Sequence, residues 1–257
     1  MLLAIDIGNS TMKFGLYNGA EITDRFSIHT ITDYDAADLM SDRLSFLDTR
    51  IGRIDRIIVS SVVPDLNGVL TDVCLRLFKV SPIFVDASHA LGMEVEYQPA
   101  ESLGSDRLIA AYACLKKYGA PCVICSFGTA TTIDAVSSAP AFLGGIITPG
   151  MGVMAEALSL KTARLPRVDI SEPEAFLGTS TELSIRSGIF YGNIEMITGL
   201  VTRISAEITA DTGHKPRVVA TGGYARIIVP HVPAIDRLDE NLILDGLRSV
   251  GEAMSSP

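Results

Sequence analysis

The feature that most constrains this chain is a strand-and-turn unit that occurs twice. Leu2-Leu3-Ala4-Ile5-Asp6-Ile7 runs directly into Gly8-Asn9-Ser10-Thr11, and a second apolar run follows from Met12. In the second half Cys122-Val123-Ile124-Cys125-Ser126-Phe127 runs into Gly128-Thr129-Ala130-Thr131-Thr132 in the same way. A short apolar run closed by Gly and small polar residues reads as a buried strand entering a tight hairpin, because Gly and Asn accept positive φ cheaply. Two copies of one unit in one chain read as an internal duplication.

Each turn also has a second reading. Successive turn amides without bulky side chains form a concave anion site, to which hydroxyls add donors. Taken singly, either turn is equally an ordinary polar hairpin. Taken together, and followed by Thr221-Gly222-Gly223 at the end of a third strand, they favour two halves that face each other and aim two phosphate loops into one nucleotide cleft.

The intervening pattern supports an α/β fold. Met12 to Gly19 and Glu21 to Thr30 read as two more strands of a meander. Apolar residues at helical spacing run from Asp33 to Leu47, with Asp33 or Asp35 as N-cap. Arg56 to Val63 is a buried strand, Asp65 to Lys79 a helix behind Pro64, and Pro82 to Val85 a short strand. A loop-like stretch from Asp86 to Ser102 precedes a helix opened by Gly104-Ser105-Asp106-Arg107. Gly119-Ala120-Pro121 breaks that helix, which places a domain boundary there and predicts domains 1–118 and 119–257. The second half then supplies strands from Cys122, from Thr132 to Val136 and from Ala141 to Thr148. A helix over Val153 to Leu160 follows. Next comes long helical periodicity from Thr181 to Ala210, with possible breaks at Gly188, Gly192 or Gly199. Arg217 to Ala220 is a strand, and Asn241 to Met254 is a last helix that is free to pack back on the first domain.

Composition narrows the classes. The chain has 257 residues, is 47% hydrophobic and carries a net charge of −9. That charge argues against nucleic acid as a partner, which needs clustered Lys and Arg. No apolar run is long enough to span a membrane, and no basic segment precedes the first apolar run. The four cysteines form no disulfide framework. Cys122 and Cys125 stand in a C-x-x-C, but on a strand residues three apart face opposite ways, which argues against a redox or zinc role. The expected setting is a reducing cytoplasm.

The residue types suit phosphoryl transfer, which needs charge neutralisation, alignment and a group that takes the acceptor's proton. Asp6 is placed to organise Mg²⁺, chiefly through water. Lys13 is placed to neutralise phosphate. The amides around Gly8 and Gly128, with Ser10, Thr11 and Thr129, are candidate phosphate donors. Gly222 and Gly223 leave room for a base or ribose against the backbone. Asp106 is the candidate base; the helix end and Arg107 both favour its anion, so its role reads as orienting a hydroxyl. Arg107 suits a substrate carboxylate. The plain alternative is a helix cap, with Arg107 paired to a surface acid.

These motifs together resemble the type III pantothenate kinase family, within the acetate kinase, sugar kinase, Hsp70 and actin fold group. The resemblance spans nearly the whole chain. It rests on Asp6-Ile7-Gly8-Asn9-Ser10, Ser60-Ser61-Val62-Val63-Pro64, Gly104-Ser105-Asp106-Arg107, Phe127-Gly128-Thr129-Ala130-Thr131-Thr132-Ile133-Asp134, Gly144-Gly145, Pro149-Gly150, Thr162-Ala163-Arg164-Leu165-Pro166 and Ala220-Thr221-Gly222-Gly223. It implies two similar actin-like ATPase (ribonuclease H-like) domains. It implies ATP-dependent phosphorylation of pantothenate to 4'-phosphopantothenate, the first step of coenzyme A biosynthesis. Asp6, Gly8, Asn9, Ser10, Thr11, Lys13 and Thr129 would then bind ATP, with Asp106 as proton acceptor. Tyr97, Gly104, Ser105, Asp106, Arg107 and Thr181 would contact pantothenate. A homodimer is also implied, with Mg²⁺ and a K⁺ or NH₄⁺ ion as activators. One departure stands out: the family's second phosphate loop carries an Asp for the monovalent cation where this chain has Ser126. A neutral oxygen there predicts weaker cation binding. It also leaves open a weakened enzyme, or a nucleotide-binding paralogue with an accessory role. Another carboxylate-bearing alcohol is a third possibility for the substrate.

Overall fold

A computed structural model of the chain describes residues 1–32, 36–50, 53–89 and 91–254, with residues 47–50 described by their backbone alone. The first strand, β1 (Leu2–Ile7), pairs antiparallel with β2 (Thr11–Asn18), which pairs with β3 (Glu21–His29). On its other side β1 lies parallel to β4 (Arg56–Ser61), and β4 to β5 (Ile83–Phe84). The order is β3-β2-β1-β4-β5. The run Leu3–Ile7 is continuously apolar apart from Asp6 because both faces of β1 are covered, as in parallel sheets generally. Leu3, Ile5 and Ile7 pack with Met40 and Leu44 of α1 (Ala36–Arg50) and with Leu66, Leu70 and Val73 of α2 (Asp65–Phe78). On the opposite face Ala4 packs with Ile109 and Tyr112 of α3 (Ser105–Tyr118) and with Leu244 and Leu247 near the C-terminus. The N-cap expected at Asp33 or Asp35 lies outside the described residues. The stretch from Asp86 to Ser102 holds a two-residue strand, β6 (Glu94–Val95), and one 3-10 turn at Ala100–Ser102.

The second half repeats the plan. β7 (Cys122–Phe127), β8 (Ala130–Val136) and β9 (Ala141–Pro149) form an antiparallel meander. β10 (Arg217–Thr221) lies parallel to β7, and β11 (Arg237–Leu238) parallel to β10. Among the strands of this half the order β9-β8-β7-β10-β11 therefore matches β3-β2-β1-β4-β5 in sequence and in sense. Val123, Cys125, Phe127 and Ile133 pack against Ile189, Ile197 and Val201 of α5 (Thr181–Thr212), with Met151 and Ala155 of α4 (Met151–Lys161). The expected breaks in α5 do not occur. Three interior glycines cost about 1 kcal/mol each, and the buried stripe that includes Ile185, Ile189, Ile194, Ile197, Val201 and Ile208 offsets that. A short helix, α6 (Ala225–Ile228), and β11 were not anticipated, since neither is long enough to show a period. The last helix, α7 (Leu242–Ala253), follows.

The chain forms two compact units, residues 1–113 with 241–257 and residues 114–240. The division differs from a single boundary at 118/119: it falls inside α3, and α7 joins the first unit against β1 and β4. All four cysteines are buried and free. Among the described residues no helix is long and apolar enough to cross a membrane.

Candidate active site

In the first unit the turn after β1 is closed by its own backbone and by Thr30, which directly follows β3. The Gly8 N–H donates to the Thr11 carbonyl (3.1 Å), the Thr30 N–H to the Ser10 carbonyl (3.1 Å) and the Thr30 hydroxyl to the Gly8 carbonyl (2.7 Å). Neither Gly8 nor Asn9 adopts positive φ. The glycine is used for space instead, since a Cβ on Gly8 would stand 3.2 Å from the Thr11 carbonyl oxygen. The Gly8 amide is thus spent inside the turn, while Asn9 and Ser10 are exposed at its tip.

Strand pairing sets three polar groups side by side. Asp6 is opposite Lys13 on β2 and beside Ser60 on β4. Partners in register point to one face of a sheet. Asp6 is only 6% exposed, and burial pushes its carboxyl up from 3.8 to about 6. Lys13 and a hydrogen bond from Ser60 oppose that rise, and the charge of Asp106 adds to it.

Asp106 stands in the first turn of α3. The Leu108 N–H donates to the Gly104 carbonyl (3.1 Å), and Asp106 Oδ1 accepts from the Arg107 N–H (2.9 Å). The anion was expected to be favoured by the helix end and Arg107. Instead burial is the largest influence and raises the carboxyl, with the Arg107 amide, the Arg107 charge and Lys13 acting against it. Desolvation wins because the low-dielectric surroundings penalise the charged form more than the partners reward it. A Cβ on Gly104 would stand 2.6 Å from Asp106 Oδ1, so a larger residue there would push the carboxylate aside. Arg107 is 6% exposed; its guanidinium lies 5.2 Å from the Tyr97 ring centroid and 3.5 Å from the Tyr97 hydroxyl. Ser105, assigned to substrate by resemblance, is turned to the fold. Its hydroxyl meets Ser60 Oγ (3.0 Å), accepts from the Ser61 N–H (3.0 Å) and donates to the Ser61 carbonyl (3.1 Å).

In the second unit the corresponding loop is closed by the Gly128 N–H donating to the Ala130 carbonyl (3.0 Å). Two glycines pack onto it. Gly150, which caps α4, donates to the Thr129 carbonyl (2.9 Å), and a Cβ there would stand 2.1 Å from the Gly128 carbonyl oxygen. Gly222 has φ +100°, and its missing Cβ would stand 2.5 Å from the Phe127 carbonyl oxygen. Gly128, Thr129, Gly222 and Gly223 are thereby gathered at the ends of β7 and β10. Thr181 stands outside this grouping, exposed in the first turn of α5 behind the Ser180 cap, whose hydroxyl accepts from the Leu183 N–H (3.3 Å).

Ser126 has Thr132 and Thr221 as its strand partners, so its immediate neighbours in the sheet are hydroxyl-bearing rather than acidic. Asp134 lies on the same face two residues along, but its carboxylate accepts from Thr132 (3.2 Å) and is packed against Gly145, where a Cβ would stand 2.2 Å from Oδ1. The residues at this position therefore do not supply the charge that the resemblance assigns to a monovalent-cation site. One contributor, Ser60, has no role that the sequence assigns; it lies in the Ser60-Ser61-Val62-Val63-Pro64 motif, and only strand register reveals that it stands beside Asp6.

A family profile described as type III pantothenate kinase matches residues 2–203. A relative named type III pantothenate kinase, from Solibacter usitatus (strain Ellin6076), is 37% identical over 255 residues, covering 98% of this chain and 96% of that protein. Among solved structures, a Campylobacter jejuni protein with the provisional description Baf family transcriptional activator superposes with TM-score 0.62 at 21% identity, covering 98% of each chain. A Sinorhizobium meliloti protein with the provisional description 2-dehydro-3-deoxygalactonokinase superposes with TM-score 0.56 at 10% identity over 100% of both chains. At such identities the structural likeness speaks for the fold alone, that of the actin-like ATPases and sugar kinases. The full-length relatives and the profile carry more, and on them this chain belongs to the type III pantothenate kinase family.

Proposed function

We propose that the chain transfers the γ-phosphoryl group of ATP to the primary hydroxyl of pantothenate, giving 4'-phosphopantothenate and ADP. The observation that carries this reading is Asp106, held in the first turn of α3 with its carboxyl raised by burial, next to a buried Arg107 stacked on Tyr97. A general base works best when its affinity for a proton is lifted toward the working pH. Asp106 accepts the proton of the substrate hydroxyl as that oxygen attacks phosphorus and the bond to the ADP oxygen breaks. Arg107 presents a fixed fork of donors suited to the substrate carboxylate, and Tyr97 keeps its plane in place. Lys13 neutralises phosphate charge, with Asn9, Ser10, Thr11 and Thr129 as donors and Gly222 and Gly223 leaving backbone open to the base or ribose.

Asp6 fits a Mg²⁺ role. It is a buried carboxylate whose ionised form lacks full compensation, and among the described residues no group of three metal-ligating side chains exists. That is the pattern for an ion held by one carboxylate, water and substrate phosphates. When bound, Mg²⁺ supplies neutralisation of the charge on the transferring group. We assign no step to a monovalent cation, because Ser126 does not fit one. A homodimer in the cytoplasm is the assembly we take forward from the resemblance, and four free thiols suit a reducing compartment.

A coupled ADP-release assay with ATP and pantothenate, run with and without K⁺ or NH₄⁺, tests this directly. Turnover is expected, with little response to the cation. Absence of turnover under every condition would overturn the proposal in favour of an accessory nucleotide-binding role. Asp106→Asn should lower kcat by about 10²–10⁴ and leave ATP affinity by calorimetry unchanged.

A further inference from the structure

Ser60 is completely buried, and it is the residue that β4 sets beside Asp6. Its hydroxyl hydrogen-bonds the Asp6 carboxylate on one side and lies 3.0 Å from Ser105 Oγ on the other. A serine has one O–H to donate. An ionised Asp6 only accepts, so Ser60 must donate to it. Ser105 also has a single proton, which the Ser61 carbonyl (3.1 Å) and Ser60 Oγ (3.0 Å) share, while its oxygen accepts from the Ser61 N–H (3.0 Å). Ser60 is thus the donor to an ionised Asp6, and Ser105 is its contact with α3. The link Ser105–Ser60–Asp6 starts on the residue immediately before Asp106, so it runs between two acids that repel each other.

We propose that Ser60 is a positioning residue that aims the Asp6 carboxylate toward bound Mg²⁺ and ties that aim to the first turn of α3. Ser60 itself touches neither phosphate nor substrate. The proposal rests on the nucleotide-phosphoryl reading of the site given above and extends it to a residue outside the loops. Two consequences distinguish it from a merely structural serine. Removing the hydroxyl should weaken what depends on the ion and spare what does not. Restoring a hydroxyl with a different side chain should restore that property.

The experiment is calorimetric titration of the intact protein with ATP, once with excess Mg²⁺ and once with chelator. In the wild-type protein Mg²⁺ is expected to tighten ATP binding. In Ser60→Ala that tightening should shrink by about 3–10-fold, in keeping with a hydrogen bond to a charged group, while the chelator value stays within twofold of wild type. Ser60→Thr should regain most of it. If Ser60→Ala misfolds, Ser105→Ala interrupts the same link from its other end and should produce a smaller loss of the same kind. Unchanged Mg²⁺-dependent tightening in whichever alanine variant folds would overturn the proposal. So would equal weakening with and without Mg²⁺, or a Ser60→Thr variant no better than Ser60→Ala. A wild-type protein that binds ATP more tightly with Mg²⁺ yet never phosphorylates pantothenate would refute the substrate and leave the role of Ser60 standing.

Discussion

Replacing Asp6 with Asn should make the ligand-free protein more stable at pH 8, and this gain should vanish in acid. In the folded chain the Asp6 carboxyl is raised from 3.8 to about 6, chiefly by burial. Its folded form therefore holds a proton more tightly than its unfolded form. The stabilisation that comes from that proton is fully present below about pH 4 and is lost as the pH climbs through about 6. At about 1.4 kcal/mol for each unit of pKa, the loss comes to about 3 kcal/mol for a residue 6% exposed. Asn has the same shape and no charge, so it does not suffer this loss. The assay is urea unfolding of both proteins at pH 4.5, 6 and 8 without nucleotide or Mg²⁺. The stability of Asp6→Asn relative to wild type should rise by up to about 3 kcal/mol between the acid and alkaline ends. A difference that stays flat with pH, or that favours Asn in acid, would refute the view that Asp6 is a carboxylate held at a cost until a cation arrives. Added Mg²⁺ and ATP should then stabilise wild type and do much less for the variant.

Three further outcomes are expected. Gly104→Ala should displace the Asp106 carboxylate, since the new methyl group would meet Oδ1 at 2.6 Å; kcat should fall by about 10²-fold, in line with an ångström-scale misplacement, with the unfolding midpoint nearly unchanged. Gly222→Ala should instead damage the fold, because φ +100° and contact with the Phe127 backbone leave no side chain to move aside; thermal unfolding should report a loss of about 2 kcal/mol or more. Ser126→Asp should raise turnover in K⁺ or NH₄⁺ and create a cation dependence, and an unchanged cation response would show that residue 126 does not face the ion.

Much of the architecture could be read from hydrophobic runs. β1 and β7 were legible because strands buried on both faces show unbroken apolar runs, and the small polar turns after them mark where the runs must end. The repeated strand order extends that reading, since both sheets carry the same sequence of antiparallel and parallel pairs. The two-residue strands and α6 were not legible, because elements shorter than one period carry no periodic signal. α5 was legible as one long helical period; the possible breaks at its glycines do not occur, because glycine propensity is a local quantity and the buried stripe of a long helix outweighs it.

The candidate site divides along the same line. Asp6, Lys13, Asp106 and Arg107 could be named from the residues alone, because acids at strand ends and helix starts next to glycines are chemical signals that need no coordinates. How those groups behave could not be named. Arg107 favours the Asp106 anion as expected, but burial outweighs it and raises the carboxyl, because desolvation depends on everything packed around a carboxylate, most of it far away in the chain. Ser105 looked like a ligand for substrate and is bonded to Ser60 and Ser61, which only the packing of α3 against β4 brings within reach. By itself, then, the order of residues determined the repeated strand-and-turn plan and the identity of the charged groups. Tertiary structure alone decided their proton affinities and which serine stands behind Asp6, because burial and strand register are properties of contacts between segments that the sequence holds apart.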